Sequence, residues 1–173
     1  MTFLVCIYLC MKKIIITVLL WSLVVGMMAL ILYMSSEPAE KSNITSGGAL
    51  EIIYDATHEA TDSTHEQKVE SFVDNNQGRI RRAAHFGIFM LLGVLLSVAT
   101  LYSIKKIWIR ATLPFAVALL FPFIDELYQI SIPGRAFEWK DVGLDILGGI
   151  IGCALVYLIF VIVKVVKREK HHN

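Results

Sequence analysis

The chain has 173 residues, enough for one domain, and 56% of them are hydrophobic, which is more than a soluble domain usually carries. The formal net charge of +1 gives no general attraction to nucleic acid, so we expect no nucleic-acid partner. The three cysteines stand in apolar surroundings without zinc-ligand spacing or a visible disulfide framework, and we interpret them as small apolar residues.

The first apolar block follows Lys12 and Lys13. Residues 14–34 carry no charge, and their length matches the roughly 20 residues that cross the hydrocarbon core of a bilayer. A secretory signal peptide is the alternative, but the block is longer than the usual hydrophobic region and no clean cleavage site follows it. We therefore predict transmembrane helix 1 at 14–34, after an N-terminal extension at 1–13 in which Met11 is an alternative start.

The next segment is polar and contains most of the acidic residues. We predict an acidic extracellular loop at 35–82, in which residues 60–72 could form a short helix. His58 and His65 lie among acids in this loop. A metal site there is conceivable, but two solvated histidines are the simpler interpretation, so we assign no metal site and no cofactor to the chain.

Three further apolar blocks complete the chain. We predict transmembrane helices 2, 3 and 4 at 83–104, 111–130 and 142–163, separated by a cytoplasmic loop at 105–110 and an extracellular loop at 131–141, with a basic tail at 164–173. With four spans, most basic clusters fall on one side, which the positive-inside rule makes cytoplasmic. The predicted fold class is all-α: an integral membrane bundle of four transmembrane helices with both termini cytoplasmic.

This topology brings polar residues from three separate segments to the outer level of the membrane. Asp125 and Gln129 are four residues apart and share a face of the third helix. Basic residues that precede the second helix lie outside, against the positive-inside rule, which suggests that they pair with acids or bind a ligand. The candidate polar cluster is Arg81, Arg82, His85, Asp125, Glu126, Gln129, Arg135, Asp141 and Asp145.

The fourth helix carries a stripe of acidic and small residues. Asp141, Asp145, Gly148 and Gly152 follow one another at helical spacing. The pair Gly148 and Gly152 lets another helix approach closely, so we predict a packing role for both. Asp145 lies one turn inside the membrane, where a carboxyl group requires a hydrogen-bond donor or a water pocket.

The order and spacing of these motifs resemble the VanZ-like family over residues 79–155. The run from Arg81 to Phe86 and the pair Leu92-Gly93 match its second helix, although Arg82 stands where the family commonly has Lys and Ile88-Phe89 replaces Glu-Tyr. Asp145 stands where Asn is frequent. The remaining matches are Asp125-Glu126-x-x-Gln129, Pro133-Gly134-Arg135 and Asp141-x-x-x-Asp145-x-x-Gly148-x-x-x-Gly152.

The resemblance implies a multi-pass protein of a bacterial cell membrane. The family's namesake is associated with low-level resistance to teicoplanin, but the family name supplies no reaction. The first interpretation of the cluster is structural, because buried ion pairs can fix how helices dock. Such pairs would join the acids Asp125, Asp141 and Asp145 to the arginines Arg81, Arg82 and Arg135.

Two functional interpretations stand beside the structural one. In the binding interpretation, Arg135 and Arg82 contact an anionic group, since arginine forks suit phosphate and carboxylate. In the catalytic interpretation, His85 with Asp125 or Glu126 forms an acid–base pair, although no nucleophile and no zinc motif stands out.

We expect a non-enzymatic envelope protein that binds a cell-wall or lipid component and lowers susceptibility to teicoplanin-type glycopeptides. The alternatives are a membrane-embedded enzyme that acts on a lipid-linked substrate and a small transporter. The expected partners are membrane lipids and a cell-wall precursor or lipoglycopeptide ligand. An oligomer is compatible with the sequence.

Overall fold

The computed structural model describes residues 2–57 and 65–170, and the elements within this part of the chain are helices. They follow in the order α1 (Thr2–Ser35), α2 (Ala39–Thr57), α3 (His65–Ser103), α4 (Ile107–Gln129) and α5 (Trp139–Glu169). All but α2 are long and apolar enough to cross a membrane. The predicted all-α class with four membrane-spanning helices is therefore confirmed.

The four long helices form a bundle in which neighbours in sequence run in opposite directions. Trp21 Nε1 of α1 donates a hydrogen bond to Ser103 Oγ at the end of α3, at 3.1 Å, and Ser35 at the opposite end of α1 bonds to Asp125 of α4. The α3 and α5 helices are consequently parallel. A core of apolar side chains fills the space between α1, α3 and α4: Val24, Ile31, Phe89, Leu92, Leu96, Ala99 and Phe121.

The outer surface of the bundle is apolar along much of α1 and α5. Val18, Leu19 and Val25 on α1 and Leu158 and Ile159 on α5 are all exposed. In water such a surface would favour aggregation, whereas in a bilayer it can contact the equally apolar lipid tails. This surface therefore agrees with a protein that is embedded in a bilayer.

Glycines allow α3 and α5 to approach until their backbones touch. A Cβ added to Gly93 of α3 would overlap the Gly149 carbonyl oxygen of α5. In the same way, a Cβ on Gly148 or Gly152 of α5 would overlap a carbonyl oxygen of α3. This contact holds the two helices at one axial register, and the register determines which of their polar groups meet.

The structure differs from the sequence expectation between residues 35 and 82, where helices replace much of the expected loop. The α2 helix packs against the first half of α3, with Leu50 buried and the rings of Tyr54 and Phe72 5.2 Å apart. A Cβ on Gly47 would lie 3.3 Å from Val73 Cγ1. Because Gly47, Leu50 and Tyr54 recur at helical spacing, this polar segment still has one face that can pack.

The long helices also extend beyond the predicted spans. At about 1.5 Å per residue, α3 is about 58 Å long, roughly twice the thickness of the hydrocarbon core, so its first half lies outside that core. The α1 helix includes residues 2–13, which the sequence separated as an extension. His58 and the side chain of His65 lie outside the described residues.

We expect Gly93→Ala and Gly152→Ala to lower the free energy of unfolding by about 1–3 kcal/mol each, because the new methyl group would force the α3 and α5 backbones apart. Unfolding of the purified protein by SDS, followed by circular dichroism in mixed micelles, measures this.

The matched control is Gly87→Ala on α3, since a Cβ there meets nothing within 4 Å. It should leave stability unchanged or raise it by up to about 1 kcal/mol, because alanine favours a helix more than glycine does. Equal losses for all three substitutions would contradict the proposed contact.

Candidate functional site

The predicted polar residues converge at one end of the bundle, which we call the rim. Here α1 and α4 end, α5 begins, and α3 enters the membrane-spanning part of the bundle. The rim has an outer layer around Asp141 and an inner layer around Asp125 and Asp145. The positions of both layers follow from the axial register of α3 and α5.

The outer layer links the two parallel helices through arginines. Arg82 Nε donates to Asp141 Oδ1 at 2.9 Å, and Arg82 Nη2 lies 3.2 Å from Glu138 Oε2. Arg81 Nη2 lies 3.9 Å from the other oxygen of Asp141, at the limit of an ion pair. One carboxylate is therefore shared by two guanidinium groups, and Arg82 makes the stronger contacts.

Glu126 connects the end of α4 to the start of α5. It is buried, and its Oε1 accepts a hydrogen bond from the backbone N–H of Glu138 at 2.7 Å. Glu138 is the N-cap residue of α5 and its own side chain makes no capping bond. Glu126 therefore satisfies a backbone donor just before the start of α5.

The inner layer is a chain of hydrogen bonds from α1 to the loop after α4. Asp125 Oδ2 accepts from Ser35 Oγ at 2.9 Å and from Gln129 Nε2 at 3.0 Å. Arg135 Nη1 then donates to Gln129 Oε1, and its Nη2 donates to the Glu37 carbonyl, each at 3.2 Å. Burial and the nearby Arg81 charge lower the pKa of the Arg135 guanidinium.

His85 lies one turn deeper than the arginines. Its Nδ1 is 3.6 Å from Asp145 Oδ2, so α3 and α5 meet through a second polar pair below Arg82 and Asp141. One ligand atom from each of His85, Asp125 and Asp145 lies within 4.8 Å of the other two. Three residues that could hold a metal ion therefore come together from three helices.

A small cavity lies where the two layers meet. Its volume is about 10 Å³, room for roughly one water molecule. Positively and negatively charged side chains of α3 and α5 surround it. It reaches from the outer arginines to the deeper His85 and Asp145. The lining residues are Arg81, Arg82, His85, Asp141, Leu144 and Asp145.

Comparison with known families agrees with this architecture. The family model described as VanZ/LLP1 matches residues 4–161, which is nearly the whole chain. The chain belongs to the VanZ/LLP1 family. No curated protein and no solved structure matches it. With its four long apolar helices, this VanZ/LLP1 member is a multi-pass membrane protein.

The pairing within this VanZ/LLP1 rim differs in part from the pairs that the structural interpretation names. Asp141 does meet arginines, but Asp145 faces His85, because both lie one turn below the outer pair. Asp125 bonds to Ser35 and Gln129, which are closer to it than any guanidinium. Each cluster residue lies at the rim, but only one of the three acids has an arginine partner among the described residues.

The acid–base pair of His85 and Glu126 is not formed in this arrangement. Glu126 is bonded to the Glu138 N–H, while His85 faces Asp145 and Asp125. Ser35 and Glu138 also belong to the rim, although the sequence did not single them out. Ser35 directly follows the first apolar block and so falls at the same membrane level as the cluster, which is the signal that could have identified it.

We expect Glu126→Ala to lower the free energy of unfolding by about 0.5–1.5 kcal/mol, because the partly buried N–H of Glu138 would lose its acceptor. Glu126→Gln should lose far less, since an amide oxygen can accept the same bond. Thermal unfolding of both variants in detergent measures the difference. If Gln is as harmful as Ala, the charge of Glu126 matters rather than its hydrogen bond.

Proposed function

We propose that this VanZ/LLP1 protein resides in a bacterial cell membrane and binds an anionic group of a lipid or cell-wall component at the outer end of the bundle. Binding there lowers susceptibility to teicoplanin-type glycopeptides, without a chemical step. The rim serves as the binding surface, and the rest of the bundle serves as its scaffold.

The observation that carries this proposal is the incomplete pairing of Arg81. Its side chain is 21% exposed and lines the rim cavity, yet its ion-pair contact with Asp141 is 3.9 Å long. Asp141 is already bonded to Arg82 at 2.9 Å, so it neutralises Arg81 poorly. A guanidinium has five donors in a planar fork, which suits a phosphate or carboxylate group.

The arginine best placed to contact a ligand is Arg81, rather than Arg82 or Arg135. Arg82 is engaged by two carboxylates, and Arg135 donates to Gln129 and to the Glu37 carbonyl. Both arginines therefore serve to hold the rim together. We propose Arg81 as the direct anion contact, with Arg82 and Asp141 fixing its position.

The charge distribution supports an outward-facing rim. Lys105 and Lys106 are exposed in the connection between α3 and α4, at the opposite end of the bundle. Lys167 and Arg168 lie in the last turn of α5, at that same end. Basic residues concentrate on the cytoplasmic side of membrane proteins, so we propose that both termini are cytoplasmic and that α2 and the rim are external.

Expression in a Gram-positive host that lacks its own copy tests the function. Wild type should raise the inhibitory concentration of teicoplanin, and Arg81→Gln should abolish the increase. Loss of a charge-assisted hydrogen bond weakens binding about tenfold or more. Arg79→Gln is the control, because Arg79 is exposed on the same helix and does not line the cavity.

Membrane levels of all three proteins must be equal, as measured by immunoblot of membrane fractions. If wild type leaves susceptibility unchanged, the resistance role is overturned. If Arg81→Gln and Arg79→Gln protect as well as wild type, the protein acts on susceptibility through a different surface.

Single-cysteine labelling in intact cells tests the orientation. In a background in which Cys6, Cys10 and Cys153 are replaced by alanine, Ser131→Cys should react with a membrane-impermeant thiol reagent, whereas Lys105→Cys should react only after lysis. Both positions flank α4 and are exposed. The reverse pattern would place the rim in the cytoplasm.

A further inference from the structure

The inner layer of the rim contains a group of side chains that the anion-binding proposal does not use. His85, Asp125 and Asp145 come from α3, α4 and α5, and one ligand atom of each lies within 4.8 Å of the others. The two aspartates are at most 3% exposed, and His85 is partly buried. Two buried carboxyl groups and an imidazole thus converge at the membrane-facing side of the rim.

The hydrogen bonds of these residues leave one oxygen of each aspartate without a partner. Asp125 Oδ2 accepts two bonds, and Asp145 Oδ2 faces His85, but both Oδ1 atoms are buried and have no hydrogen-bond partner among the described residues. Buried polar atoms are nearly always paired, so a buried carboxylate oxygen without a hydrogen bond is a position that a cation or a water molecule can occupy favourably. Here two such oxygens occur in one group.

The nearby arginines are engaged with other partners than these two aspartates. Arg82 is paired with Asp141 and Glu138, and Arg135 donates to Gln129 and a carbonyl oxygen. No ion pair joins an arginine to Asp125 or Asp145 among the described residues. A divalent cation would neutralise both carboxylates at once.

We propose that His85, Asp125 and Asp145 bind a first-row divalent cation, for which Zn²⁺ is the representative ion. One imidazole nitrogen and two carboxylate oxygens are ligands that Zn²⁺ accepts in proteins. Bond lengths of about 2.1 Å at tetrahedral angles place two ligand atoms about 3.4 Å apart. The 3.6 Å between His85 Nδ1 and Asp145 Oδ2 is close to this separation, and the group as a whole, whose ligand atoms lie within 4.8 Å of one another, would draw together around an ion.

The surroundings of Asp125 have the form of a supporting shell for a metal ligand. Ser35 Oγ and Gln129 Nε2 both donate to Oδ2, which fixes the carboxyl plane and leaves Oδ1 available for a cation. Metal-binding carboxylates are commonly oriented by such hydrogen bonds. Without a cation, these two donors satisfy only one of the two oxygens.

Three protein ligands leave a fourth position of a tetrahedral ion for water or another small ligand. The rim cavity adjoins His85 and Asp145, and its volume of about 10 Å³ is enough for one water molecule. None of the arginines is a ligand in the proposed metal site. A test of metal binding is therefore independent of a test of the anion-binding role proposed for Arg81.

Metal binding by the full chain in detergent tests the proposal. The protein is purified without a polyhistidine tag, stripped with EDTA and titrated with Zn²⁺, and bound metal is measured by mass spectrometry. His171 and His172 are replaced by glutamine in every sample, because neighbouring histidines at the chain end would bind zinc themselves. We expect one Zn²⁺ per chain.

The variants His85→Gln, Asp125→Asn and Asp145→Asn should each weaken binding at least about tenfold. Glu126→Gln is the matched control, because it removes a buried carboxylate at the same level that lies outside the three ligands, and it should bind as wild type does. The proposal would be wrong if the three ligand variants bound Zn²⁺ as tightly as wild type does, or if wild type showed no saturable binding.

X-ray absorption at the zinc edge of the metal-loaded chain avoids reliance on variants that fold poorly. We expect one imidazole nitrogen, with oxygen as the other ligands. A sulfur ligand or two imidazoles would show an adventitious ion only, held by other histidines or cysteines, and would refute the proposal.

Discussion

The contact between α3 and α5 is the interaction on which the arrangement of the rim depends. Gly93, Gly148 and Gly152 have no side chain that would hold the two backbones apart. The helices therefore pack closely and at one axial register. That register places Arg82 opposite Asp141 and, one turn deeper, His85 opposite Asp145. A shift of one helical turn would exchange the partners, bringing Arg82 level with Asp145 or His85 level with Asp141, and would leave the remaining two groups without a partner near the membrane, where an unpaired charge is costly.

The two polar layers make different contributions to the molecule. The outer layer reaches solvent at Arg82 and Glu138, and such partly exposed ion pairs add little stability. The inner layer is buried, so its hydrogen bonds specify geometry, and each unsatisfied atom is costly. Docking of helices and binding of a ligand are therefore compatible uses of one rim, since fixed arginines and carboxylates bind with less loss of side-chain entropy.

The sequence was sufficient for the four spans, because a long uncharged apolar block between polar segments is typical of a membrane-spanning helix. The sequence also predicted that the polar cluster lies at one end of the bundle, since the chain crosses the membrane back and forth and returns to the same level after every second span. It could not determine partners within the cluster, because a single turn decides whether Asp145 meets an arginine or His85. The packing of α2 on α3 was missed because its apolar face is only a few residues long, at Gly47, Leu50 and Tyr54.

The unbroken course of α3 has a mechanical consequence. Its first half packs against α2 outside the hydrocarbon core and ends near Arg81 and Arg82 at the rim, and His85 follows at the start of its second half. A long helix of this kind is stiff, so a molecule that pushes on α2 and the first half of α3 would tilt the segment that holds these side chains. Because α5 is in backbone contact with α3 below the rim, the tilt would pivot at the glycines and change the width of the cavity above them.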